Sequence, residues 1–273
     1  MAVKWKQGYY KWWDAYDENE NKLIVPSVSK VVDMKPDPDL DKWIEEVGEE
    51  KAKIIMEAAA NRGTSMHLFL ENFYLAFSYK NNHNLKKALL YTQKKTPDLL
   101  LKDNIPEVSI KTGRKLFYQL LEDLGAYSKF GKVNQKNHVI KKVLGLETMI
   151  ANFTLPYRGK YDINFVTRDN TGKPINVLCD YKSAGSLIKP NTIKERKMKL
   201  QLAGYWNAYE QDAKYSLDKA MLWVSTKSQG TQKISIDRKE YEDCWSEFKE
   251  LCQQFHKEHN QDLSIFKDYE IIQ

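Results

Sequence analysis

The chain has 273 residues, 42% of them hydrophobic and 29% charged, with a formal net charge of +6. That is enough apolar content for one large domain, with no apolar run near the length of a membrane span. Its three cysteines, Cys179, Cys244 and Cys252, are too scattered for a disulfide framework, a four-thiolate zinc site or an iron–sulfur cluster.

The N-terminus, Met1 to Lys6, has neither a hydrophobic signal core nor the character of an Arg-rich transit peptide, so a cytoplasmic location is expected. From Trp5 to Trp13 aromatics alternate with lysines, and Asp17–Asn21 reads as a turn into Leu23-Ile24-Val25, together an edge hairpin. Such aromatics either cover a core or stack on unpaired bases. Ser27 in Pro26-Ser27-Val28 is placed to cap a short helix through Val32. Helical spacing then runs from Leu40 to Asn61, where Arg62-Gly63-Thr64 interrupts it. A second helix carries Met66, Phe69, Leu70, Phe73 and Phe77 on one stripe, with His67 in its first turn.

Residues 78–141 read as a basic helical insertion or arch within a single domain spanning 1–273, with helices at Leu85–Tyr91 and Val108–Leu124 and breaks at Thr96-Pro97-Asp98 and Asn104-Ile105-Pro106. Positive charge collects in residues 84–115, with eight Lys or Arg against three acids. It collects again in residues 189–199, where Lys189, Lys194, Arg196, Lys197 and Lys199 face Glu195 alone. Such blocks suit a polyanion or a solvated helix face.

Strands are expected at Lys142–Ile150, Tyr161–Thr167, Ile175–Tyr181, Ala220–Thr226 and Gln232–Ile236, with a helix at Thr192–Gln211 between the third and fourth. This is an α+β fold with a central mixed sheet flanked by helices. Asp237 with Glu240 forms a capping box for the last helix. On the 192–211 helix, Lys194, Lys197, Gln201 and Tyr205 share one side, and Met198, Leu202 and Tyr209 share the buried one.

The third strand ends in Asp180-Tyr181-Lys182-Ser183. Residues two apart on a strand point the same way, so a carboxylate and an ammonium can serve one centre, although Asp-x-Lys alone is more often an ion pair at a strand end. Asp162 begins the neighbouring strand and can share a metal with Asp180 if the register brings the two ends together. Glu147 lies one strand further on.

The order His67, Glu147, Gly159-x-x-Asp162, Asp180-x-Lys182 and Gln201-x-x-x-Tyr205 resembles the RecB-like branch of the PD-(D/E)XK nuclease superfamily. Pro26-Ser27-Val28, Trp43 with Val47-Gly48, and Arg62-Gly63-Thr64-x-x-His67 resemble the mitochondrial genome maintenance exonuclease and its phage relatives within that branch. The resemblance implies a restriction-endonuclease-like core and Mg²⁺- or Mn²⁺-dependent hydrolysis of DNA phosphodiester bonds, with one or two ions and no iron–sulfur cluster. It implies that His67, Asp162 and Asp180 are metal ligands and that Lys182 positions or activates water. Glu147 would assist as a further acid. Gln201 and Tyr205, with Lys194 and Lys197 on the same helix side, would contact DNA or brace Lys182, and Arg62, Thr64 and Ser183 would contact phosphate by position. The substrate would be DNA, single-stranded ends above all, in phage or bacterial replication, recombination or repair, alongside a phage or host recombination or replication protein. A structure-specific or flap endonuclease, or an inactive nucleic-acid-binding module of the same fold, stays open at this point. The acid of the Asp-x-Lys pair is Asp where many relatives carry Glu, which keeps a carboxylate in place.

Overall fold

A computed structural model describes residues 3–7, 12–80, 83–128, 132–134, 137–212 and 216–272. In chain order its elements are β1 (Val3–Gln7), β2 (Trp13–Tyr16), α1 (Val28–Asp33), α2 (Pro38–Val47), α3 (Glu49–Leu75), α4 (Leu85–Lys102) and α5 (Glu107–Asp123). They continue through β3 (Lys142–Asn152), β4 (Tyr157–Arg168), β5 (Pro174–Ala184), α6 (Ile193–Asp212), β6 (Lys219–Thr226), β7 (Thr231–Ile236), α7 (Arg238–Glu258) and β8 (Tyr269–Ile272).

The central sheet has the order β3-β4-β5-β6-β7, antiparallel except for the parallel β5–β6 pair that α6 connects. A sheet whose central strands are buried on both faces needs helices on both sides, and two apolar cores result. On one side Val28, Leu202, Ala203, Trp206 and Phe248 of α1, α6 and α7 pack on Ile150, Tyr161, Leu178 and Val224 of the sheet. On the other, Met66, Phe69, Leu89 and Phe117 of α3, α4 and α5 pack on Ile163, Phe165, Cys179 and Trp223. The mixed α+β sheet flanked by helices is the fold class expected from the strand pattern. Within residues 78–141, α4 and α5 belong to this second layer: Leu100, Leu116, Phe117 and Leu120 are fully buried in it.

Three helix boundaries differ from the sequence expectation. The break falls at Gly48, whose φ of 82° ends α2 and admits α3. No break occurs at Arg62-Gly63-Thr64, because α3 runs unbroken for 27 residues and places His67 well inside it rather than in a first turn. Gly63 marks close packing: a Cβ there would stand 3.1 Å from Ser183 Oγ on β5. Likewise α4 continues through Pro97 to Lys102, held by burial of Thr96 and Leu100 despite the amide that proline lacks.

The N-terminal segment forms a second sheet of order β2-β1-β8, whose pairing of β1 with the C-terminal β8 is parallel. Trp5 is fully buried and meets Phe153 edge-on at 5.1 Å, and Trp13 meets the same ring at 5.3 Å, so these aromatics cover a core. Tyr9 and Tyr10 lie outside the described residues. Among the described residues no helix is long and apolar enough to cross a membrane.

Candidate active site at the parting of two strands

The antiparallel ladder between β4 and β5 ends at Ile163↔Cys179. One step beyond, Asp162 and Asp180 stand opposite each other where backbone pairing has ceased. Instead of a ladder bond, the amide of Tyr181 donates to Asp162 Oδ2. Side-chain alternation also breaks here: Tyr161 packs in the α6-side core and Ile163 in the α3-side core, although they are only two residues apart. On the other flank, the β3–β4 register pairs Leu146 with Ile163 and Thr148 with Tyr161, which leaves Glu147 facing Asp162. Glu147 has a left-handed φ of 48°, strain of a kind that the surrounding structure must impose. Three acids from three consecutive strands thus lie in one row, with neighbouring strands about 4.8 Å apart.

α3 brings in the imidazole. His67 Nδ1 lies 3.2 Å from Asp162 Oδ1. Ligand atoms of His67, Glu147 and Asp162 all fall within 4.8 Å of one another. Lys182 Nζ sits 2.6 Å from Asp180 Oδ2, and Lys160 Nζ pairs with Glu147 Oε2. These groups border a cleft of about 680 Å³ lined also by Thr64, Glu71, Asp103 and Ser183. Asp180 lies beneath its floor, only 3% exposed.

The electrostatics follow from crowding carboxylates out of water. Burial, and then the Asp162 charge, push Asp180 up to about 6 against the opposing pull of Lys182. Burial and Asp162 likewise push Glu147 up to about 7 although Lys160 is bound to it. Burial works in the same direction on Asp162, yet His67, Lys182 and the Tyr181 amide outweigh it and hold that carboxyl below the usual range. Burial disfavours the charged form of His67, but Asp162 beside it raises the imidazole above its ordinary value. A site in which acids cannot all stay ionised lacks positive charge.

That shortage fits a divalent cation. The donors are carboxylate oxygens and one imidazole, a set that accepts Mg²⁺ and suits Mn²⁺. Asp180 Oδ2 is buried, and the Lys182 ammonium 2.6 Å away is the cation paired with it. His67, Glu147 and Asp162 are the residues grouped by geometry, with Asp180 adjoining through Asp162.

The helix motif stands behind this row. Gln201 Nε2 donates to Tyr205 Oη at 2.8 Å, and the Tyr205 ring lies flat enough on Gly159 that a Cβ there would come within 2.7 Å of it and 3.0 Å of Val28. The Arg158 amide beside that glycine donates to Pro26 O at 2.9 Å. Gly159 and Pro26-Ser27-Val28 therefore seat Tyr205 against the strand that carries Asp162. Gly159→Ala is expected to cost about 1–3 kcal/mol in urea unfolding, through forced displacement of the ring.

Thr64 and Ser183 line the cleft. Arg62 does not: it lies along its own helix, Nη1 reaching Ala58 O at 3.5 Å. Lys194 and Lys197 also lie outside the cleft lining, on the face of α6, and have no ion-pair partner among the described residues. Their neighbours Arg196 and Lys199 are taken up by Asp243, Glu247, Glu195 and Glu240. Sequence reading missed Lys160 and Glu71. Lys160 sat inside the Gly159-x-x-Asp162 motif, and Glu71 lies four residues, one helical turn, beyond His67.

No curated protein sequence matches the chain. Among solved structures, an Eubacterium rectale protein assigned provisionally as an exonuclease is similar, at 10% identity and a TM-score of 0.37, over 72% of this chain and 69% of that one. SSO0001 is similar at 14% identity and a TM-score of 0.30, over 71% of this chain and 72% of its own. The family model of the PD-(D/E)XK nuclease superfamily matches residues 42–264, a span that holds every acid of the row, His67 and Lys182. The chain belongs to the PD-(D/E)XK nuclease superfamily.

Proposed function

We propose that this chain is a divalent-metal-dependent deoxyribonuclease of the RecB-like branch that removes nucleotides from DNA ends, single-stranded ends first. The observation that carries the reading is the row Glu147, Asp162, Asp180 at the parting of β4 and β5, with His67 on one side and Lys182 on the other. His67, Asp162 and one or both of Asp180 and Glu147 would hold Mg²⁺ or Mn²⁺. A bound ion supplies Lewis-acid polarisation of the phosphate and a more acidic water.

The chain's own groups do the rest. Asp162 fixes the His67 ring through Nδ1, leaving Nε2 as the other ligand-competent nitrogen. Lys182 carries a full positive charge to the cleft wall, where it offsets charge growing on the phosphate oxygens and orients the attacking water. The hydroxyls of Thr64 and Ser183 border the same space and can donate to non-bridging oxygens. Tyr205 and Gln201 brace the floor from α6, and exposed Lys194 and half-buried Lys197 offer charge for the backbone further out. The preference for ends extends from the resemblance to the mitochondrial genome maintenance exonuclease and its phage relatives.

The test is digestion of linear and circular DNA, single- and double-stranded and labelled at either end, with Mn²⁺ or Mg²⁺. Linear single strands are expected to be degraded from an end while circles persist. Degraded circles would overturn the requirement for an end.

A further inference from the structure

The cleft holds more charge than one ion's ligands require. Five carboxylates surround it or lie beneath it: Glu71, Asp103, Glu147, Asp162 and Asp180. Two ammonium groups lie among them, Lys160 and Lys182, so positive charge is short. Lys182 is spent on Asp180 at one end of the row. At the other end Lys160 binds Glu147 Oε2, and after burial, which opposes its charge, the acids acting on it are Glu147, Asp162 and Glu71. Its ammonium thus occupies the corner, bounded by β3, β4 and α3, in which a second cation would find Glu147, Asp162 and Glu71.

We infer that Lys160 is a built-in substitute for a second metal ion, so that this site loads one divalent cation and not two. The geometry behind this is local. Lys160 and Asp162 are two residues apart on β4, and Met149↔Lys160 pairing sets Lys160 two rungs from Glu147 on β3, within reach of its carboxylate. Glu71 follows His67 by one turn of α3, so it faces the same cleft. A tethered ammonium supplies positive charge to Glu147 without the ordering of water or the loss of free ion that a second metal would entail. It also leaves the strained Glu147 with a fixed partner. The inference rests on the metal-dependent reading above and adds the number of ions and the residue that sets it.

The test is calorimetric titration of the full chain with Mn²⁺, for wild type, Lys160→Met and Lys160→Gln, with equilibrium dialysis to confirm the count. The Lys160 side chain is 38% exposed, and Gln keeps a hydrogen-bond donor for Glu147, so at least one variant is expected to retain the wild-type melting profile. Wild type should bind one Mn²⁺ per chain and each folded variant two. Lys160→Met/Glu71→Gln should return to one. Two ions in wild type, or one in both single variants, would overturn the inference while leaving metal dependence intact. Absence of any bound Mn²⁺ in wild type would overturn it together with the metal-dependent reading.

Discussion

Lys182→Met is expected to lower the rate of DNA cleavage by about three orders of magnitude, the upper range for removing one preorganised charge from a transition state. Binding of single-stranded DNA should change little, because the exposed cations of α6 and of residues 84–115 remain. Single-turnover cleavage of an end-labelled strand, set beside a filter-binding isotherm, separates the two effects. The variant also has a structural consequence that must be read alongside. Lys182 Nζ is the nearest positive charge to Asp180, 2.6 Å from its Oδ2, and Asp180 is already pushed up to about 6. Without that ammonium Asp180 takes up a proton at neutral pH rather than remaining a bare buried charge. The fold should therefore survive, and loss of activity would report the missing ammonium together with the neutralised Asp180. Wild-type rates in Lys182→Met would remove this residue from the site.

Asp162→Asn should be the more damaging change to the site itself. One Asp162 oxygen accepts the Tyr181 amide and the other faces His67 Nδ1. An amide has one acceptor oxygen and one donor nitrogen, so it can satisfy Tyr181 or His67 in the present arrangement, but not both in the same way. His67 loses the charge that fixes and polarises it, and the row loses the acid that both Glu147 and Asp180 adjoin. Affinity for Mn²⁺ should fall by more than the about 10–100-fold typical of losing an outer hydrogen-bond partner of a ligand. Cleavage should fall with it. Removing one negative charge also relieves Glu147 and Asp180, which Asp162 helps to push upward. Melting temperature should thus hold or rise in the absence of metal, while the rise given by added Mn²⁺ disappears.

The parts of this site that could be read in the chain are those that depend on local rules. Strand alternation puts Asp180 and Lys182 together, and the consecutive strands expected at Tyr161–Thr167 and Ile175–Tyr181 bring Asp162 into view. The capping residues Ser27 and Asp237 behave as read, accepting from Lys30 N and Glu240 N. The parts that could not be read depend on packing between distant segments. Gly63 looks like a helix breaker until Ser183 is seen pressed against it. Pro97 looks like a stop until the buried residues on either side of it are known. The C-terminal strand β8 pairs with β1 across nearly the whole sequence, and no local pattern announces a partner so remote. Glu147 is legible in the chain only as a further acid on a neighbouring strand. Only the β3–β4 register shows that it faces Asp162, and only the backbone shows that it does so from a left-handed conformation. Lys160 was hidden because, in sequence, it is an unremarked spacer between a glycine and an aspartate.

The central claim is that the acids at the parting of β4 and β5, with His67, form one divalent-metal site on which cleavage depends. The most direct measurement is calorimetric titration of wild type and Asp162→Asn with Mn²⁺ under identical conditions, with end-labelled DNA cleavage followed in the same samples. Saturable binding and cleavage in wild type, both lost in Asp162→Asn while its far-UV spectrum is unchanged, is the predicted result. Equal Mn²⁺ binding by the two proteins, or cleavage by wild type that persists in excess chelator, would contradict it.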